Sequence, residues 1–302
     1  MNSQTKITLV IMAAGLSTRY KALKQKQSID SSHQSIIDYT IFDAIEAGFS
    51  RILFIINPMM VNFFTSEKIP TLPKIIDYDY VLQDKNNIPA FANNLLTNRI
   101  KPWGTGHAII CAASKLETPF AVVNADDFYG RNAFISMAQN LQSIKKNEVL
   151  LTGYKLIDTL SKNGGVSRGI CKLDKKNHIN SITEYKQIIK AGNSITGKLN
   201  EQQQTLDPKE IVSMNFWGLS PAILPKLTNE FQSFLQNIQN PTQDEFYLPN
   251  AISEIKDKDD IKIKLLKSED KWFGLTFPED LQEVKQNVQK LITNKKYPNT
   301  LF

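Results

Sequence analysis

Four short apolar runs, at residues 7–12, 51–56, 75–82 and 119–124, alternate with stretches of helical spacing through the first 147 residues. The first run is continuous and leads into Ala13, Ala14 and Gly15, the pattern of a strand buried on both faces. Residues 35–47 place Ile36, Ile37, Ile41, Ala44 and Ile45 at helical spacing, and Gly48 stops that helix. Further helices are expected at 105–116 and 131–145. Strands separated by helices pair in parallel, so this half predicts βαβ units around a mainly parallel, Rossmann-like, three-layer α/β sheet.

After residue 148 the pattern changes. Strands at 149–155, 169–174, 178–186 and Ile211–Leu219 are joined by loops, and residues 187–208 are polar and read as a loop or flap. Helices are expected at 221–235 and 244–256. Residues 261–266 alternate with lysines, as in a half-exposed strand, and Pro278 opens an amphipathic helix over 280–292. The expectation is one α/β domain over residues 1–302 with an antiparallel extension.

At 302 residues, 41% apolar and 22% charged, the chain reads as a soluble globular protein, which excludes disorder, collagen and coiled coil as its main class. The net charge of +6, from 36 Lys+Arg against 30 Asp+Glu, is spread out. Lysine pairs at 145–146, 175–176 and 295–296 are interrupted by acids or amides, a solvated surface rather than a nucleic-acid stripe. Cys111 and Cys171 lack CxxC or His spacing, so they form neither a disulfide framework nor a zinc site and fit a reducing, cytoplasmic setting. No run approaches the roughly 18 apolar residues of a membrane helix. Lys6 and residues 7–14 imitate a short signal peptide, but Thr8 interrupts the run and one Lys makes a poor basic region.

Three segments carry chemistry. The first is Ala13-Ala14-Gly15-Leu16-Ser17-Thr18-Arg19-Tyr20-Lys21-Ala22-Leu23-Lys24-Gln25, directly after the first strand. Ligands of parallel sheets sit beyond the carboxyl ends of strands. Small residues there let backbone N–H groups approach phosphate oxygens, and Arg19 and Lys24 add two cations. Neither GxGxxG nor a Walker A pattern is present. The second is Gln83 with Trp103-Gly104-Thr105-Gly106-His107-Ala108. A Gln amide can read a base edge, and the glycine turn permits close packing on base or ribose, while Thr105 also suits an N-cap and His107 suits packing. The third is Asn124-Ala125-Asp126-Asp127-Phe128-Tyr129-Gly130, two acids at the end of the fourth strand. Mg²⁺ takes one or two carboxylates plus phosphate oxygens and water; the same acids could instead cap the next helix.

Together these segments resemble the nucleotidyltransferase superfamily of sugar-nucleotide pyrophosphorylases and related MobA-like enzymes, over most of the chain. The resemblance implies a GT-A-like fold in which residues 1–147 form the NTP-binding half and 148–302 the acceptor-binding half with the C-terminal helix. It implies that the Ala13, Ala14 and Gly15 backbone holds phosphate and base, that Arg19 and Lys24 are catalytic cations, and that Gln83, Gly104 and Thr105 contact the nucleoside. Asp126 matches the family's metal ligand, with Asp127 its neighbour. Leu23-Lys24-Gln25 replaces the family's common Pro-Lys. Gly169 and Glu184 match the acceptor half, Lys186 is displaced by one from the usual Lys, and Asn215 lies where the family approaches the sugar again. Strand positions two apart share a face, so Glu184 and Lys186 either hold one ligand or pair with each other. Where the family carries a second metal Asp after a Trp, this chain reads Trp272-Phe273-Gly274, leaving Asp280 as either a ligand or a helix-start residue.

The implied reaction is Mg²⁺-dependent transfer of NMP from an NTP to a phosphorylated small-molecule acceptor, a sugar 1-phosphate, with release of pyrophosphate. A GT-A glycosyltransferase using an NDP-sugar is the enzymatic alternative; Arg19 and Lys24 argue against it, since that reaction has no pyrophosphate to hold. A non-catalytic nucleotide-binding relative is the other, supported by Gly274.

Overall fold

The computed structural model describes residues 5–15 and 27–302. In chain order they form β1 (Thr8–Ala13), α1 (Ile36–Glu46), β2 (Arg51–Ile56), β3 (Asp77–Leu82), α2 (Thr105–Ala112), β4 (Phe120–Asn124), β5 (Asp127–Phe128) and α3 (Arg131–Leu141). Then follow β6 (Glu148–Lys155), β7 (Val166–Leu173), β8 (Ile179–Ala191), β9 (Ser194–Leu199), β10 (Gln202–Leu206) and β11 (Ile211–Leu219). α4 (Leu224–Asn237), α5 (Leu248–Asp259), β12 (Lys262–Lys267), β13 (Phe273–Gly274) and α6 (Asp280–Thr293) complete the fold.

β3, β2, β1 and β4 are parallel neighbours, β11 pairs antiparallel to β4, and β6 and β12 continue beyond β11 in the direction of β4. β1 shows why these runs are continuously apolar. Leu9, Ile11 and Ala13 pack toward α1 and α3, while Val10 and Ala14 join the cluster containing α2, α4 and α5. Helices cover both faces, so alternation with polar residues is lost. At the start of α1, Ser35 and Asp38 form a capping box, with the Ser35 N–H donating to Asp38 Oδ2 at 2.8 Å.

β7, β8, β9 and β10 form the antiparallel extension. Residues 187–208, expected as a loop or flap, are mostly strand. β8 runs on to Ala191, and β9 and β10 fold back as a hairpin whose turn residues Asn200 and Glu201 have φ of +49° and +63°. The helix expected at 105–116 keeps α geometry only to Ala112.

The join between sheet and extension is a bulge in β11. Residues Ile211–Ser213 pair with β7 and Trp217–Leu219 with β4, on the edge opposite β6. The register shifts between Ser213 and Trp217, and Asn215 there has φ of +64°. One strand therefore serves two partners in succession, and the irregular stretch faces the carboxyl end of β4.

Candidate active site

Beyond the carboxyl ends of β1 and β4 lies a cleft of about 780 Å³. It is lined by Gly15 from the end of the first strand, Thr105 from α2, Asp126 and Asp127 after β4, Gly169 from β7, Glu184 and Lys186 from β8, and Asn215 from the β11 bulge. Six segments distant in sequence thus meet where a parallel sheet binds ligands. Arg19 and Lys24 lie outside the described residues.

The acid tip is held from behind by the C-terminal part of the chain. β5 pairs antiparallel with β13, placing Gly274 opposite Asp127, and Leu275 N–H donates to the Asp126 carbonyl at 3.0 Å. Phe128 stacks on Phe273 with ring centroids 4.3 Å apart. Asp127 is buried. Its Oδ2 accepts from Asn124 Nδ2 at 2.8 Å and lies 3.3 Å from the Tyr129 hydroxyl, which also reaches the Met214 carbonyl. Burial, with the charge of Asp126 added, pushes the Asp127 carboxyl up to about 7, although Asn124, Arg168 and Tyr129 pull it down. Asp126 is partly exposed to the cleft.

Asn215 is tied into the same network. Its Nδ2 donates to Asn124 Oδ1 and Trp217 Nε1 donates to its Oδ1, at 2.8 and 2.9 Å. A chain of side chains therefore runs Trp217–Asn215–Asn124–Asp127, fixing the β4 tip against the β11 bulge. Behind it sits a residue that the sequence pattern had not singled out. Arg168 is buried, donates to the Thr159 carbonyl and hydroxyl and to the Ser167 carbonyl, and lies 5.0 Å over the Trp272 ring. Burial lowers it to about 10, with Asp127 and Asp280 opposing, so it remains a cation at neutral pH. The strand expected from the sequence starts at 169, whereas β7 starts at Val166, and so the inward position of Arg168 left no mark in the pattern.

The nucleoside-side residues divide. Gly15 and Thr105 face the cleft, whereas Ala13 and Ala14 are buried in the two core layers. Gln83 and Gly104 do not line the cleft: buried Gln83 donates from Nε2 to the Gly104 carbonyl at 2.8 Å, and so holds the turn. Gly104 has φ of +98° and a Cβ there would fall 2.7 Å from the Phe246 carbonyl oxygen, so glycine is required on two counts. Thr105 is not the N-cap of α2; Gly104 is. The Thr105 hydroxyl instead accepts from Leu248 N–H at 2.9 Å and so ties the start of α5 to the turn. His107 is fully buried, with Nε2 2.9 Å from the Asn87 carbonyl, and burial depresses its pKa, as suits packing.

On the other wall, Gly169 pairs with Glu184 in the β7–β8 register, and a Cβ at 169 would meet Ile182 at 2.7 Å. Glu184 and Lys186 are exposed and reach the cleft together from one face of β8. Asp280 does not reach it. Its Oδ1 accepts from Ser161 and Asn163 at 2.9 and 2.8 Å, and its Oδ2 from the Thr276 and Phe277 N–H groups at 3.0 and 2.7 Å. With both oxygens engaged, Asp280 clamps the start of α6, the helix-start alternative for this residue.

Among the described residues no three His, Cys, Asp or Glu side chains cluster as a ready-made metal cage. The pair Asp126–Asp127 nevertheless fits a cation that draws its other ligands from phosphate and water. Asp126 is the better ligand, because Asp127 is turned into the Asn124–Tyr129 network. No helix among the described residues is long and apolar enough to cross a membrane.

Comparison with known proteins bears on the fold and the family. The chain is 24% identical over 266 residues to UTP–glucose-1-phosphate uridylyltransferase YngB of Bacillus subtilis (strain 168), covering 85% of this chain and 81% of the relative. Among solved structures it matches a UDP-glucose pyrophosphorylase complexed with UDP-glucose (TM-score 0.61, 16% identity, 94% of this chain and 99% of that one). It also matches HddC from Yersinia pseudotuberculosis (TM-score 0.57, 17% identity, 93% and 99%). At these identities the two structures show a shared fold. The nucleotidyl transferase family matches residues 8–191, which takes in β1, the acid tip, Gly169, Glu184 and Lys186, and on that match this chain belongs to the nucleotidyl transferase family.

Proposed function

We propose that this nucleotidyltransferase joins an NTP to a sugar 1-phosphate and releases pyrophosphate, with UTP as the nucleotide suggested by the name of the Bacillus relative. The observation that carries the reading is the single cleft shared by Gly15, the Asp126–Asp127 tip and the Glu184–Lys186 strand. Residues 1–147 supply the NTP half and 148–302 the acceptor half.

In this reading the acceptor's phosphate oxygen attacks the α-phosphorus in line, the bond to the bridging oxygen breaks, and pyrophosphate leaves with the electron pair. The attacking phosphate is already anionic, so no general base is needed. Transfer of this kind depends on alignment and on neutralising spread negative charge. Arg19 and Lys24 supply cations at the triphosphate, and the backbone of Ala13, Ala14 and Gly15 lines the entry to that loop. Gln83 and Gly104 shape the turn that presents Thr105 to the nucleoside. Asp126 would hold Mg²⁺, which when bound supplies further neutralisation at the phosphates; the links among Asp127, Asn124 and Asn215 fix the strand tip that carries it. Glu184 accepts from sugar hydroxyls and Lys186 meets the acceptor phosphate. Small-molecule substrates of this kind suit a cytoplasmic enzyme that engages no nucleic acid.

The test is a pyrophosphate-release screen crossing four NTPs with a panel of sugar 1-phosphates and with phosphocholine, with and without Mg²⁺. Release confined to an NTP plus a sugar 1-phosphate supports the reading. Release of NDP from an NDP-sugar, or NTP binding without product across the panel, overturns it.

A further inference from the structure

Residues Phe246, Tyr247 and Leu248 enter α5 with two side chains sunk and one standing out. Phe246 and Leu248 are buried, whereas Tyr247 is 44% exposed and lines the cleft. The backbone around the tyrosine is pinned on three sides. Phe246 N–H donates to the Trp103 carbonyl at 2.7 Å, Gly106 N–H to the Phe246 carbonyl at 2.9 Å, and Leu248 N–H to the Thr105 hydroxyl at 2.9 Å. Gly104 and Gly106 let this segment approach so closely that a Cβ at either would fall within 2.7 Å of Phe246. An exposed aromatic ring on a backbone fixed this firmly is held ready for a ligand rather than left over from the core.

The same cleft takes in the stripe Ile182, Glu184 and Lys186 of β8, at the two-residue spacing of one strand face. The stripe offers an apolar contact, an acceptor and a cation in order. Among the described residues no cation pairs with Glu184. A carboxylate in such a position repels a triphosphate and favours a neutral group rich in O–H donors. Tyr247 caps the start of α5, which packs against β8, so the ring and the Glu184 carboxylate line the same cleft from adjoining elements. An aromatic face beside a carboxylate suits a ring-form sugar, whose C–H groups lie against the aromatic while its hydroxyls donate to the acid.

We propose that Tyr247 is an acceptor-recognising residue: its ring packs against the C–H face of a pyranose 1-phosphate whose hydroxyls are held by Glu184. This rests on the sugar 1-phosphate reading above and adds to it the ring form of the acceptor and the residue that selects it. The contact is made equally in the ground and transition states, so its loss appears in KM for the acceptor and not in kcat.

The experiment is steady-state pyrophosphate release with α-D-glucose 1-phosphate varied at saturating UTP, and then UTP varied at saturating sugar phosphate. It uses full-length wild type, Tyr247→Ala and Tyr247→Phe, with melting temperatures measured alongside. Tyr247→Ala is expected to raise KM for the sugar phosphate about tenfold or more, the scale of a lost apolar contact in a pocket, with kcat and KM for UTP near wild type. Tyr247→Phe, which keeps the ring, restores the acceptor KM. An unchanged acceptor KM in Tyr247→Ala overturns the proposal, and so does an equal rise in KM for UTP, which would assign the ring to the nucleoside. Wild type that releases no pyrophosphate with any sugar 1-phosphate removes the functional reading itself. Wild type that is active while Tyr247→Ala matches it removes only the role of Tyr247.

Discussion

Gly274 lies against Asp127 so closely that a Cβ at 274 would fall 2.4 Å from Asp127 Oδ1, 2.9 Å from the Trp272 ring and 3.1 Å from the Asp126 carbonyl. The resemblance read from the sequence implies an Asp at this point, where the structure has a tightly packed glycine. With Asp127 Oδ1 and the Trp272 ring this near, any side chain at 274 forces one of them to shift. Gly274→Ala and Gly274→Asp are therefore expected to destabilise by overpacking, about 1–3 kcal/mol, and to lower turnover by displacing the acid tip. Thermal unfolding and pyrophosphate release check this. A Gly274→Asp protein with unchanged melting and raised turnover would show that the glycine is a lost ligand rather than a steric requirement.

Asp126 and Lys24 are expected to act through charge at the reacting phosphates, so their removal separates activity from stability. Asp126→Ala and Lys24→Ala should each lower kcat by about a hundredfold or more, the scale seen when one electrostatic contact to a transition state is deleted. Asp126 is partly exposed, so its melting temperature should stay near wild type. Chelation of divalent cations in wild type should give a loss at least as large. Wild-type turnover in either variant contradicts the assignment.

Gln83 gives a sharper test of how the nucleoside is chosen. Its amide donates to the Gly104 carbonyl and so supports the turn that carries Thr105. Gln83→Ala is expected to raise KM for all active NTPs by a similar factor and to leave their order unchanged. A change in base preference, measured across four NTPs, would show that the side chain reads a base edge directly.

Much of this could be read from the residues because burial leaves a plain mark. The runs of β1, β2 and β4 are apolar throughout, since helices cover both faces. Arg51–Ile56 and Ile211–Leu219 were readable to the residue. The hairpin of β9 and β10 was not. β10 is largely exposed and mostly Gln, and β9 offers only Ile195 and Leu199 as large apolar side chains, so the alternation is faint, and the turn residues Gly192, Asn200 and Glu201, all at positive φ, were the other hint. At the site, Asp126, Glu184 and Lys186 were legible because charged residues stand at strand ends or along one strand face. Arg168 and the Asn124–Asn215 link were not, because a buried guanidinium held by carbonyls and an amide pair 91 residues apart depend on tertiary contact alone.

Asp43 offers a prediction in pH. It is 1% exposed, on α1, and its oxygens accept from Arg131 Nε at 3.2 Å and from the Tyr297 hydroxyl at 2.6 Å. Arg131 is the first residue of α3, directly after the acid tip, so this carboxyl joins α1 to the helix that follows Asp126 and Asp127. Burial pushes Asp43 up to about 7, from 3.8, even though Tyr297 and Arg131 pull it down. The folded protein thus binds the proton more tightly than the unfolded chain does. The resulting stabilisation is fully present below the unfolded value near 4 and is lost as pH rises through about 7. Asp43→Asn removes the titration while keeping the shape, so the fall in melting temperature between about pH 5 and about pH 8 should be smaller in the variant than in wild type. Parallel melting profiles for the two proteins would show that Asp43 stays ionised throughout this range, and that the Arg131 and Tyr297 contacts outweigh its burial.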